Sequence, residues 1–66
     1  MIPMQFEICR GREARWIVTL GTSLYGVYVD REQALLDAVD AARDVTEAGG
    51  NAQVWIRDQS TAAQVF

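Results

Sequence analysis

The chain opens with an alternation of apolar and polar residues: Met4, Phe6 and Ile8 fall on one side, Gln5, Glu7 and Cys9 on the other. A period of two predicts a half-buried strand. Arg10-Gly11-Arg12-Glu13 interrupts it with a loop suited to a hairpin, and the alternation resumes over Ala14 to Leu20. There Trp16, Val18 and Leu20 share one face, while Arg15, Ile17 and Thr19 share the other. Beyond the turn Gly21-Thr22-Ser23, Leu24 to Val29 is rich in tyrosine and valine and predicts a third strand, with Gly26 suited to a bulge or a close backbone approach. Connections this short predict an antiparallel meander.

The period changes at Asp30. Asp30-Arg31-Glu32-Gln33 matches a capping box, with Asp30 as N-cap and Gln33 reaching back, and Val29 and Ala34 are placed for a hydrophobic staple. Helix formers run from Arg31 to about Ala48, and Gly49-Gly50 supplies a left-handed stop. At helical spacing Ala34, Leu35, Ala38, Val39, Ala41, Ala42, Val45 and Ala48 form one apolar arc, dominated by alanine, so the helix is expected to lie close against a sheet. Asn51 to Arg57 alternates again, with Ala52, Val54 and Ile56 opposite Gln53, Trp55 and Arg57. Asp58-Gln59-Ser60-Thr61 is a polar turn, and Ala62 to Phe66 is suited to a last strand. The order β-β-β-α-β-β predicts one α+β domain over residues 1–66, an antiparallel sheet of about five strands with a single helix packed on one face.

Composition bears on how so small a domain is held together. With 66 residues there is material for one core only, and domains of this size commonly rely on a disulfide, a metal or a partner subunit. The single cysteine, Cys9, precludes an intramolecular disulfide, and the chain has no histidine, the commonest general base and transition-metal ligand. Oligomerisation is the staple that remains, so a homodimer is expected and no cofactor is called for. The net charge of −3, with all six bases arginine, disfavours nucleic acid as a partner. Met1 to Gln5 lacks the basic and apolar runs of an export signal, and no apolar stretch is long enough for a membrane span, so a cytoplasmic protein is expected.

Several segments together resemble a known pattern: Trp16-Ile17-Val18 on a strand, Gly26 before the helix, Asp30-Arg31-Glu32-Gln33-Ala34 opening it, and Ala38 and Ala41-Ala42 along it. Gly50-Asn51-Ala52-Gln53-Val54-Trp55-Ile56-Arg57-Asp58 completes the pattern. Over roughly Phe6 to Phe66 the chain resembles a bacterial family of small proteins, domain of unknown function 2188. The resemblance implies the fold and no activity. A glycine that commonly follows the aspartate of the last hairpin in that family is here Gln59. The β-β-β-α start also looks, more remotely, like antitoxins of the HicB type.

Three constellations bear on function. With Ala52, Val54 and Ile56 toward the helix, Trp55 and Arg57 point to the uncovered sheet face, where Arg15, Ile17 and Tyr25 are expected to join them. A large indole there suits a subunit interface with arginines at its rim, or a base-stacking platform, or a strand residue that is only partly exposed. Along the outer helix, Asp37, Asp40, Asp44 and Glu47 form an acidic ridge, read as a solvated face or as a surface for a basic partner, since helical spacing splays ligands too far to enclose a metal. Cys9 has Arg10 as its only evident neighbour and no base to make it a nucleophile, and Ser23, Ser60, Thr22 and Thr61 belong to turns. No catalytic motif emerges. The function expected is a non-enzymatic module that self-associates or binds a protein partner; the alternative is an antitoxin-like or nucleic-acid-associated regulatory module.

Overall fold

The computed structural model describes residues 3–66; Met1 and Ile2, part of the stretch read for an export signal, lie outside the described residues. Five strands and one helix follow in the order β1 (Met4–Arg10), β2 (Trp16–Leu20), β3 (Ser23–Tyr28), α1 (Arg31–Glu47), β4 (Ala52–Asp58) and β5 (Thr61–Gln64), with a tight turn at Arg12–Ala14 between the first two strands. The strands form one sheet in the order β3-β2-β1-β4-β5, and α1 packs against it.

The two-layer α+β fold matches the expectation, but the sheet is mixed rather than antiparallel. Three ladders are antiparallel, while β1 and β4 pair in parallel with Phe6 opposite Val54 and Ile8 opposite Ile56. The cause is the helix. A helix of 17 residues returns the chain about 25 Å along the sheet. The next strand therefore starts where β3 started and runs in its direction, which is also that of β1.

The core lies between sheet and helix. Phe6, Ile8, Val18, Ala52 and Val54 from the sheet meet Ala34, Ala38 and Ala42 from the helix, and all eight are buried. Small alanine side chains bring the helix backbone close to the strands, as the apolar arc implied. Trp16, Leu20, Tyr28, Leu35, Val39, Val45, Ile56 and Phe66 seal the margins of this layer. At one margin the guanidinium carbons of Arg10 and Arg31 sit 5.4 Å and 6.0 Å from the centre of the Trp16 ring, close enough for cation–π attraction.

The helix ends differ in how they are capped. Asp30 occupies the N-cap position with extended backbone angles, yet its side chain makes no capping hydrogen bond. Gln33 does not reach back; its Nε2 donates to Asp37 Oδ1 at 3.1 Å, one turn onward. The expected capping box is thus replaced by a helix-surface bond. The other end follows the glycine rule: Gly49 has φ +93°, Gly50 N–H donates to Val45 O at 2.9 Å, and Gly49 N–H donates to Thr46 O at 3.1 Å. This is a Schellman closure.

Candidate functional site

The sheet face away from α1 is built from alternate residues of the strands that form the core. Because Phe6 and Ile8 point to the helix, Gln5, Glu7 and Cys9 of β1 point outward. Because Val54 and Ile56 do, so do Gln53, Trp55 and Arg57 of β4. Parallel pairing sets Gln5 beside Gln53 and Glu7 beside Trp55. The Gln53 carboxamide oxygen accepts two hydrogen bonds, from Gln5 Nε2 and from the Trp55 indole Nε1, each at 3.0 Å. Arg57 reaches diagonally to Glu7, donating from Nε to Oε1 at 3.1 Å and from Nη2 to Oε2 at 3.0 Å. The arginine beside it holds the Glu7 carboxyl below its ordinary value, against the opposing effect of burial, and Glu7 in turn raises Arg57.

Gln5, Glu7, Thr19, Trp55, Arg57 and Ala62 line a shallow depression of about 280 Å³ on this face. Gln5, Glu7, Trp55 and Arg57 already have hydrogen-bond partners on this face. Trp55 is half-buried along the floor rather than standing free, so its indole is an apolar plane framed by a closed hydrogen-bond chain on one side and an ion pair on the other.

A second depression lies over β2 and β3, where Ile17 and Val27 face each other across the ladder beneath Arg12, Glu13 and Arg15. Val27 is 50% exposed and Leu24 64%. These two residues were not singled out by the alternation pattern. The signal was available, because any residue opposite Ile17 or Thr19 in the hairpin shares their face.

The candidate interface residues thus divide. Ile17 and Arg15 gather at the β2–β3 side, with Arg15 in the connection just before β2 rather than within the strand. Trp55 and Arg57 gather at the β1–β4–β5 side. Tyr25 belongs to neither. A register shift between Val18 and Thr19 takes it out of the regular ladder. Its ring stands edge-on to Phe6, with centroids 5.4 Å apart and planes at 88°. Phe6 is a core residue beneath the helix, so Tyr25 lies on the covered side of the sheet, contrary to the sequence expectation.

Asp37, Asp40, Asp44 and Glu47 lie along α1 without converging. Asp37 is half-buried and takes the Gln33 hydrogen bond, Asp40 pairs loosely with Arg43 at 3.8 Å, and Asp44 and Glu47 are exposed. Among the described residues, no group of three or more potential metal ligands comes together. Cys9 is half-buried on the outward face, beside Arg57 and opposite Ile17. Comparison with family models, with curated proteins and with solved structures finds no match to this chain.

Proposed function

We propose that this chain is a non-enzymatic cytoplasmic interaction module that self-associates as a homodimer at the sheet surface α1 leaves bare. The observation that carries this is the apolar strip at the β2–β3 side of that surface. Ile17, Val27 and Leu24 lie there with no covering element among the described residues, whose core holds four large fully buried side chains besides its alanines. Covering such a strip with a second copy adds the burial that one helix on one face does not provide. A protein partner of another kind would use the same strip.

The test is the solution mass of the wild type beside two variants. Val27→Lys is expected to return the dimer to monomer. Trp55→Glu does so only if the whole face is covered, and leaves the dimer intact if contact is confined to the β2–β3 side. A wild type that is monomeric throughout contradicts the proposal.

One observation favours the alternative, a module that meets nucleic acid. Among the described residues only Arg43 and Arg57 form ion pairs, so Arg10, Arg12, Arg15 and Arg31 are available to an anion, two of them beside the Trp16 ring. Binding to single-stranded RNA that weakens steeply with salt supports this alternative. The net charge of −3 opposes it.

A further inference from the structure

Four of the six arginines pair with no carboxylate among the described residues: Arg10, Arg12, Arg15 and Arg31. All four belong to the end of the fold where β1 finishes and where β2 and α1 begin. Arg10 stands opposite Trp16 in one ladder and Trp16 opposite Tyr28 in the next, so the three form a row across the end of the sheet. By alternation from Phe6 and Ile8 this row lies on the helix side, where Trp16 and Tyr28 close the margin of the core. Arg31, the first residue of α1, comes to the same ring. Its guanidinium carbon is 6.0 Å from the Trp16 centroid, and that of Arg10 is 5.4 Å away.

Two like charges gathered at one indole repel, and the ring offsets only part of that repulsion. Glu13, Asp30 and Glu32 are close in sequence, yet none forms an ion pair with either guanidinium. We infer that this margin is a phosphate-binding site, in which Arg10 and Arg31 turn their forks onto one phosphate group beside Trp16. Both side chains are exposed and so are free to turn. Two forks fit a phosphate better than a carboxylate: one guanidinium satisfies a carboxylate, whereas a phosphate has oxygens and charge for two. The connection behind the site is held in place. Gly11 N–H donates to Arg15 O at 2.7 Å, Arg15 N–H donates to Arg12 O at 3.0 Å, and Glu13 and Ala14 keep left-handed backbone at φ 57° and 59°. Arg12 and Arg15 are thereby kept at this end, where they add to the positive field.

The distribution of charge selects a compact ligand. Asp40, Asp44 and Glu47 lie roughly 14–24 Å along α1 from Arg31. That is beyond the screening length of about 8 Å at physiological ionic strength. These carboxylates leave a small phosphate at this end undisturbed, but oppose a long polyanion laid across the molecule. The site lies on the other side of the sheet from the surface proposed for self-association and does not depend on it.

NMR of the indole and arginine Nε–H groups tests the site in the full chain, titrated with inorganic phosphate against potassium chloride of equal ionic strength. Signals of Trp16, Arg10 and Arg31 are expected to shift saturably, while the Trp55 indole, bonded to Gln53, stays in place. Arg10→Gln and Arg31→Gln should each weaken binding by roughly tenfold or more, and Arg43→Gln should leave it unchanged. Shifts no larger than those in chloride, or equal losses in all three variants, overturn the site. Glycerol phosphate in a parallel titration identifies the source: tighter binding than inorganic phosphate points to an organic phosphomonoester, weaker binding to the free ion, and either upholds the site. A single-stranded RNA oligonucleotide that binds more tightly than both, and loses that binding in Arg10→Gln, overturns the compact ligand in favour of nucleic acid.

Discussion

Arg57 spans the β1–β4 ladder to hold both carboxylate oxygens of Glu7, at 3.1 Å through Nε and 3.0 Å through Nη2. The two are diagonal neighbours on the parallel pair that joins the N-terminal meander to the segment after the helix. The pairing therefore ties together two strands through residues fifty apart in sequence. A carboxylate held in this way stays ionised to lower pH in the folded chain than in the unfolded one.

The sign of the acid response follows. Glu7 is depressed on folding, so its contribution is present above the usual carboxylate range and is lost as pH falls through the lowered value. Denaturant midpoints of the wild type should fall with acidification over that range more than those of Arg57→Met. Equal acid slopes in the two proteins would remove the pair from any role in stability.

Tyr28 gives the opposite limb. Burial first, and then the nearby Asp37 carboxylate, push its phenol from 10.0 to about 12. A raised acid is stabilising while protonated, so its contribution is full below pH 10.0 and is lost as pH climbs toward about 12. Phenolate absorbance should show one tyrosine titrating late, and Tyr28→Phe should abolish that late step.

The two-residue hairpin loops pose a matched comparison. Leu20 pairs with Ser23 around Gly21-Thr22, and Asp58 pairs with Thr61 around Gln59-Ser60. The first loop residue has positive φ in both, +61° at Gly21 and +53° at Gln59. Left-handed backbone costs a residue with a side chain about 1–2 kcal/mol, against roughly 0.5–1 kcal/mol for the added freedom of unfolded glycine. Gln59→Gly should therefore stabilise the chain by roughly 0.5–1 kcal/mol, and Gly21→Ala, by the same subtraction, should cost roughly 0.5–1 kcal/mol. Thermal unfolding of both variants measures this; a destabilised Gln59→Gly would mean that the Gln59 side chain contributes a contact of its own.

Close helix–sheet contact makes the alanine layer intolerant of size. Ala38 is fully buried between Ala34 and Ala42 on the inner face of α1. Ala38→Leu should cost about 1–3 kcal/mol by forcing the helix off the sheet. An unchanged melting temperature would mean that the layers are more loosely packed than the buried residues indicate.

How much of this was written in the sequence depends on the range of each interaction. Helix limits were legible because Asp30 and Gly49-Gly50 act locally, and the inward faces of β1, β2 and β4 were legible because alternation is a property of one strand at a time. The parallel β1–β4 neighbours were not, since nothing in Phe6 or Val54 states which strand lies beside it. The Glu7–Arg57 pair was hidden for the same reason. Tyr25 was misplaced because the bulge in β3 breaks the alternation used to assign its side, although Gly26 had marked the strand as irregular. Asp30 marks the right place, but its side chain makes no capping bond, and Gln33 does not reach back because its carboxamide donates to Asp37.

Self-association is tested most directly by the molar mass of the purified chain, followed by light scattering as concentration rises to tens of micromolar. The expected result is a particle approaching twice 7.4 kDa, reverting toward the monomer in Val27→Lys. A mass that stays at 7.4 kDa at every concentration contradicts the dimer.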